Sequence, residues 1–269
     1  MSTAVPTATR WRVSRARPAG VTFTRVLRAE WIKLRSVRAN VLMLVGTAVG
    51  AILLGVLIAG VGGGTERALP ADSVSLSLAG MDLAIIAVGA LGVTLVAGEY
   101  STKLAYVSYA AVPSRWPVLA AKALVFAAVT GVLMAAAAAM AFLGGQAVFD
   151  GPTASLTDPE VWRVVLGQAA YCVAAGLMGI SLAFIFRSTA ASIGILLAGL
   201  LVVPGLMNLF PDSVSEWITP YLPSSAADAF ATVDPAGDLL SAQAGALVLT
   251  AWVVGLLIAA AASLRWRDA

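Results

Sequence analysis

The chain has 269 residues, of which 60% are hydrophobic and only 12% are charged, and its net charge is +3. A soluble domain carries about 25% charged residues. Repeated apolar runs of about 20 residues therefore predict an all-α integral membrane protein. The chain has no histidine, and Cys172 is its single cysteine. This excludes an internal disulfide and histidine-dependent catalysis or metal binding, and we expect the chain not to be an enzyme.

The first 20 residues predict a disordered basic tail, because four arginines lie among Ser, Thr, Ala and Pro. Residues 21–38 predict an amphipathic helix that lies flat on the cytoplasmic membrane surface. Glu30 projects into its apolar face, where a carboxylate needs a partner. Two interpretations are open. Glu30 either snorkels to water or pairs with Lys33 at helical i,i+3 spacing, or it contacts segment 98–117 or a cytoplasmic subunit. The apolar face consists of Phe23, Val26, Leu27, Trp31, Leu34 and Val37.

Six apolar spans follow, and together with the amphipathic helix they form one domain of residues 21–269. Each is long enough to cross a ~30 Å hydrocarbon core. Lysines and arginines concentrate on the side of the N-terminus, which predicts a plasma-membrane protein with both termini cytoplasmic. The predicted spans are 41–61, 76–97, 118–143, 161–186, 189–210 and 243–262.

The segment 98–117, GEYSTKLAYVSYAAVPSRWP, lies between the second and third spans. Gly98 predicts a helix stop, and Ser101 and Thr102 can cap a new short helix that ends before Pro113. A short charged helix between two spans can receive a push from a partner and pass it to both spans.

Three features inside the spans bear on function. Gly46 and Gly50 in the first span permit close approach of another helix, and Pro204 predicts a kink in the fifth. Asp82 is the one predicted intramembrane ion, about six residues, or ~9 Å, inside the second span. It either lines a cavity and handles protons or reaches up to the outer interface.

The segment 211–241 mixes aromatic and apolar residues with polar ones. It predicts two short helices, separated by residues 220–225, that lie against the outer leaflet or dip into it. An ordinary surface loop is the alternative.

Three stretches of the chain resemble the type-2 permease subunits of actinobacterial ATP-binding-cassette (ABC) exporters. They follow the family order from about residue 25 to residue 262. The chain departs from the family pattern at Lys103 and Leu104, where glycine and threonine are usual. The stretches are EWIKLRS at 30–36, GEYST at 98–102 with AVP at 111–113, Arg115 and AAKA at 120–123, and YLPSSA at 221–226.

The resemblance implies a six-span permease of the type V exporter fold. Residues 21–38 would form its connecting helix, with Glu30, Trp31, Lys33 and Arg35 as contact residues. Residues 99–112 would form a coupling helix that docks on a separate ATPase subunit, through Glu99, Tyr100, Ser101, Thr102, Lys103 and Arg115. The segment 211–240 would form re-entrant helices that close the outer side, and the pathway or gate residues would be Asp82, Pro204, Tyr221 and Pro223.

The resemblance also implies partners. Two permease subunits, identical or not, and two ATPase subunits would form one exporter in the lipid bilayer. Gly46, Gly50 and Ser192 would lie at the seam between permeases. ATP and magnesium would bind to the ATPase alone, since no lysine of this chain follows a glycine as a phosphate-binding loop requires. We expect no nucleic-acid partner. Two other classes are open: a membrane interaction protein that does not transport, and an ion-coupled carrier that acts alone.

Overall fold

The computed structural model describes residues 22–62, 69–101, 116–207, 209–233 and 240–266, and every regular element in these ranges is a helix. A π-helical segment (Ala198–Val202) joins α6 to α7, and a 3₁₀ turn (Thr219–Tyr221) lies between α8 and α9. The helices are α1 (Phe23–Ser36), α2 (Arg38–Gly62), α3 (Pro70–Ser101), α4 (Trp116–Val148), α5 (Pro159–Phe186), α6 (Thr189–Leu197), α7 (Val203–Met207), α8 (Asp212–Ile218), α9 (Pro223–Ala231) and α10 (Ala242–Trp266).

Six helical stretches in the described ranges are long and apolar enough to cross a membrane. Five are α2, α3, α4, α5 and α10, and the sixth runs from α6 to α7 through the π-helical segment. This confirms the predicted number and order of the spans. Most helices extend beyond the predicted boundaries. α3, for example, begins at Pro70, where proline fits a first turn and Asp72 accepts a 2.7 Å hydrogen bond from the Leu69 N–H.

The centre of the bundle is the contact between α3 and α5, which depends on backbone-to-backbone approach. A Cβ added to Gly92 would overlap the carbonyl of Gly176, and one added to Gly179 would overlap the carbonyl of Gly89. Lipid gives helices no hydrophobic reason to associate, so close packing across small residues provides most of the attraction. α2 and α4 pack against one side of this pair, and α10 packs against α5.

The helix stop predicted at Gly98 is wrong, because α3 continues through Gly98 to Ser101. Glycine in a helix costs only about 1 kcal/mol, and the next two residues are held by tertiary contacts. Glu99 is ion-paired, and the Tyr100 ring contacts the ring of Phe184. The predicted coupling helix therefore does not begin at Glu99. Residues 102–112 of the predicted coupling helix, which include Thr102 and Lys103, lie outside the described residues. Arg115 lies outside them as well.

The fifth span is irregular just before the kink predicted at Pro204. The Val203 N–H donates to the carbonyl of Ala198, five residues back, so the helix has a wider turn here. Proline has no N–H, and its ring crowds the carbonyl four residues earlier, which belongs to Leu200. The π-helical segment accommodates both effects.

The segment after the fifth span contains two short helices, as predicted. The break is shorter than predicted, because α9 already begins at Pro223, where the fixed φ of proline suits a first turn. Arg163 of α5 donates to the carbonyls of Phe230 and Thr232 at 2.9 and 3.1 Å. A cation at the C-terminus of a helix satisfies carbonyls that would otherwise lack partners. Since most of α9 is buried against α5 and α10, it is not an ordinary surface loop.

Candidate functional site

Four charged side chains meet where α1, α3 and α4 converge. We call Glu30, Lys33, Glu99 and Lys122 the charge cluster. The Lys122 ammonium lies 2.7 Å from Oε2 of Glu30 and 2.9 Å from Oε1 of Glu99. The Lys33 ammonium lies 2.7 Å from Oε1 of Glu30 and 3.3 Å from Oε1 of Glu99. Each carboxylate therefore contacts both ammonium groups, in a closed ring of alternating charge.

Local sequence places each member of the charge cluster. Glu30 and Lys33 are three residues apart and share one face of α1. Glu99 lies in the last turn of α3, and Lys122 lies near the start of α4. The structure supports the first interpretation of Glu30, a pair with Lys33, whereas its second partner lies outside the segment named in the other interpretation. That second partner is Lys122, just beyond segment 98–117.

Burial removes part of the hydration of the charge cluster, so its charged groups depend on one another for stabilisation. Glu30 and Lys122 are only 4% and 6% exposed, whereas Lys33 is 37% exposed. Burial raises the pKa of Glu30, but Lys122 and Lys33 lower it further, so the pKa lies below its ordinary value. For Lys33, burial lowers the pKa, whereas Glu30 and Glu99 raise it, so it lies above its ordinary value. Both residues are therefore charged at neutral pH, and the two charges stabilise each other.

The residue after Glu99 links the same turn of α3 to a different neighbour. The Tyr100 ring lies 5.4 Å from the Arg187 guanidinium, a cation–π distance. It also meets Phe184 edge to face, with ring centroids 6.4 Å apart. Arg187 ends α5 in the left-handed conformation, at φ 52°, in the short turn before α6. Glu99 and Tyr100 thus fasten the end of α3 to α1, α4 and the α5–α6 turn.

A cavity of about 560 Å³ adjoins the charge cluster, and all four charged residues line it. Its other walls are mainly apolar and include Leu34, Leu95 and Phe126. Among the described residues that line the cavity, only these four are charged, and their charges sum to zero. The four side chains of the charge cluster hold α1, α3 and α4 together at this cavity.

The other two predicted connecting-helix residues point away from the charge cluster. Trp31 is 47% exposed, and Arg35 is also exposed. The predicted apolar face of α1 is therefore divided. Val26 is buried in the protein, whereas Phe23, Trp31 and Val37 face outwards, as expected for a helix that packs on a bundle and also contacts lipid.

Asp82 lies deeper in its helix than its predicted position implied, because α3 starts at Pro70 rather than 76. It is roughly 18 Å along the helix at ~1.5 Å per residue. Its carboxylate interacts with the Gln168 side chain and lies near Asp228 of α9. Burial raises the pKa of Asp228 to about 6, and repulsion from Asp82 contributes. Both aspartates are nevertheless exposed residues in the single chain, so the carboxylate of Asp228 is only partly desolvated by its neighbours.

The predicted gate residues do not form one cluster. Asp82 lies near Asp228 of α9, whereas Tyr221 is 54% exposed and lies against α10, its carbonyl accepting a 2.9 Å hydrogen bond from Trp252 Nε1. Pro223 is buried in the first turn of α9, and Pro204 follows the π-helical segment in α7.

The predicted seam residues fall into two groups. A Cβ added to Gly46 or Gly50 would meet nothing within 4 Å, so both glycines face open surface. The structure contradicts the predicted position of Ser192 at the seam, because this residue is fully buried within its own chain. Its hydroxyl donates to the Ser188 carbonyl at 2.7 Å. The small residues of the fifth span that do face open space include Gly194 and Gly199.

The sequence interpretation omitted Lys122, Arg187 and Asp228 from the candidate site. Lys122 had a usable signal, because a lone lysine near the start of an apolar span needs a partner. Arg187 and Asp228 had none, since their roles depend on how distant helices pack.

Comparison with protein-family models found no match for the chain, and comparison with curated proteins found none either.

Proposed function

We propose that the chain is the membrane permease subunit of an ABC exporter, which forms half of the substrate pathway and couples to a separate ATPase subunit. The observation that carries this proposal is the position of the charge cluster. It joins the amphipathic helix α1 to the end of α3 and the start of α4. Those two helix ends lie at the two ends of segment 98–117, for which we predict ATPase contact.

The contacts around Glu99 support a mechanical role. A force on segment 98–117 would act on the last turn of α3 and the first turns of α4. The charge cluster would transfer it to α1, and the Tyr100–Arg187 contact would transfer it to the α5–α6 turn. Packed helices move as rigid bodies between discrete arrangements, so one docking site could drive several spans together.

The experiment is co-expression of the tagged chain with the products of the neighbouring reading frames, one of which the proposal requires to be an ATPase. We expect the ATPase to co-purify and its ATP hydrolysis to rise when the permease is present in liposomes. Glu99→Ala combined with Tyr100→Ala should lower that stimulation by roughly tenfold, or ~1.4 kcal/mol of coupling. The matched control is Leu124→Ala, an exposed position on α4, which should leave stimulation unchanged.

Two outcomes would contradict the proposal. Failure of the ATPase to co-purify would favour a membrane interaction protein. Full stimulation by a double variant that elutes as a folded protein in size-exclusion chromatography would show that the end of α3 does not couple the subunits.

A second candidate function, an ion-coupled carrier that acts alone, is favoured by the proximity of Asp82 and Asp228. Two neighbouring carboxylates of which one has a raised pKa can exchange a proton near neutral pH. The carrier predicts proton flux into liposomes that contain the purified chain without ATPase or ATP, and loss of that flux in Asp82→Asn. The permease predicts no such flux.

A further inference from the structure

A second groove, of about 530 Å³, lies between α2 and α4 and is bordered at one end by α1. Its walls are almost wholly apolar side chains of these two spanning helices, including Val41, Leu44, Val129, Val132 and Leu133. On α4 it extends from Phe126 to Ala136, roughly 15 Å at ~1.5 Å per residue. Because the groove lies on membrane-spanning helices, a hydrocarbon chain can fill it.

One end of the groove is polar and basic. Arg35 and Asn40 line it at the junction between α1 and α2, beside Trp31. In the described part of the chain, neither polar side chain has an ion-pair or hydrogen-bond partner. None of the described residues that line the groove is a carboxylate, and Arg38, the first residue of α2, is a second exposed cation.

From this arrangement we infer that the groove binds one anionic phospholipid from the leaflet next to α1, which is the cytoplasmic leaflet in the predicted orientation. The phosphate lies at Arg35 and Asn40, and one acyl chain lies between α2 and α4. An arginine and an amide together supply the donors that phosphate oxygens accept. Trp31 lies where an indole favours the boundary between headgroups and hydrocarbon.

The preference for a negative headgroup follows from the charges around the groove. The charge cluster is adjacent, but its two carboxylates are already shared between Lys33 and Lys122. They therefore do not offset Arg35. Each basic residue near an anionic membrane surface adds about 1 kcal/mol of attraction, which corresponds to roughly a fivefold change in affinity. This inference does not depend on whether the chain is a permease.

The test is native mass spectrometry of the full chain in detergent, titrated with dioleoyl phosphatidylglycerol or dioleoyl phosphatidylcholine. We expect one phosphatidylglycerol to bind at least roughly fivefold more tightly than phosphatidylcholine. Arg35→Gln should remove that preference, and Arg35→Lys should retain most of it. Arg28→Gln is the matched control, because Arg28 is exposed on the same helix but does not line the groove.

A second pair of variants tests the acyl-chain site. Val132→Trp should fill the groove and weaken binding of both lipids, whereas Leu53→Trp, at an exposed position of α2 outside the groove, should not. Glycerol phosphate at the same concentration should not displace the lipid, because it lacks the acyl chain. Equal binding of both lipids, or equal losses in Arg28→Gln and Arg35→Gln, would overturn the headgroup site. Equal effects of the two tryptophan variants, or displacement by glycerol phosphate, would overturn the acyl-chain site.

Discussion

The ammonium of Lys122 lies 2.7 Å from Oε2 of Glu30, and both side chains are more than nine-tenths buried. This contact joins the amphipathic helix α1 to the third span. Two buried charges attract strongly at this distance, but each has given up its hydration to lie there. The pair therefore fixes how α1 lies on the bundle, and the loss of one partner is costly.

Removal of the lysine alone should destabilise the protein strongly. Lys122→Met removes one ammonium group from both Glu30 and Glu99, and breaking a buried pair from one side typically costs ~3–5 kcal/mol. Lys122→Met combined with Glu30→Gln should lose less than the sum of the single changes, because the orphaned carboxylate is gone. The measurement is the free energy of unfolding in mixed micelles, with Leu124→Met as the exposed control. Additive losses would show that the two charges do not interact.

The stability of the α1 contact should depend on pH at both extremes. The folded-state pKa of Glu30 lies below its ordinary value of 4.5. Its contribution is therefore present above that value and is lost as the pH falls through the folded-state pKa. The pKa of Lys33 lies above 10.5, so its contribution is present below that value and is lost as the pH rises through the folded-state pKa. Thermal unfolding of the wild type and of Glu30→Gln should diverge at neutral pH and converge in acid. Parallel profiles would contradict this assignment.

Asp228 should show the opposite pH dependence. Its pKa is raised from 3.8 to about 6 by burial and then by Asp82. Its contribution to stability is therefore present below 3.8 and is lost as the pH rises through about 6. Relative to Asp228→Asn, the wild type should lose stability between these values. Asp82→Asn should move the midpoint of that loss to lower pH, and an unchanged midpoint would show that the two carboxylates do not interact.

The sequence predicts the spans well because lipid demands long apolar runs. It predicts helix ends less well, since these depend on contacts between distant segments. Gly98 is a reasonable stop signal, but Glu99 and Tyr100 each gain a partner when α3 continues past it. An apolar run alone does not contain that information.

Only part of the candidate site could be predicted from the sequence, because the site too depends on contacts between distant segments. Glu30 is conspicuous on an apolar helix face, and Lys33 follows at helical spacing. The sequence marks Lys122 as a lysine that needs a partner, but Glu30 is identified as that partner only once the packing of α4 against α1 is known. Ser192 shows a related limit, because small residues mark both internal contacts and outward surfaces. The sequence does not say which face of the fifth span turns inwards.

Two glycines on α2 should respond very differently to the same substitution. A Cβ at Gly55 would overlap the carbonyl of Ser77 on α3, whereas one at Gly50 would meet nothing within 4 Å. Gly55→Ala should therefore destabilise the protein by ~1–3 kcal/mol, because the backbones must separate. Gly50→Ala should stay within ~0.5 kcal/mol. Unfolding of the purified single chain in micelles measures both, and equal losses would contradict the observed packing of α2 on α3.

In the proposed exporter, the first and fifth spans form the seam between two permease subunits. Gly50 and Gly194 face open space on these spans, whereas Ser192 is buried within its own chain. Single cysteines at Gly50 or Gly194, in a Cys172→Ala background, should therefore form permease–permease adducts in membranes with the ATPase present. Ser192→Cys should form none.

The control for this experiment is Val132→Cys, which is 75% exposed on α4. Adducts from Val132→Cys, with monomers alone at Gly50 and Gly194, would move the seam to the third span. Efficient cross-linking of Ser192→Cys would require the fifth span to rotate about its axis. The π-helical segment at Ala198–Val202 is the part of that span where a change of helical register costs least, since π-turns already replace α-turns there. If Gly194→Cys forms adducts and Ser192→Cys forms none, the experiment shows that the fifth span lies at the seam. It also shows which face of that span is turned towards the partner.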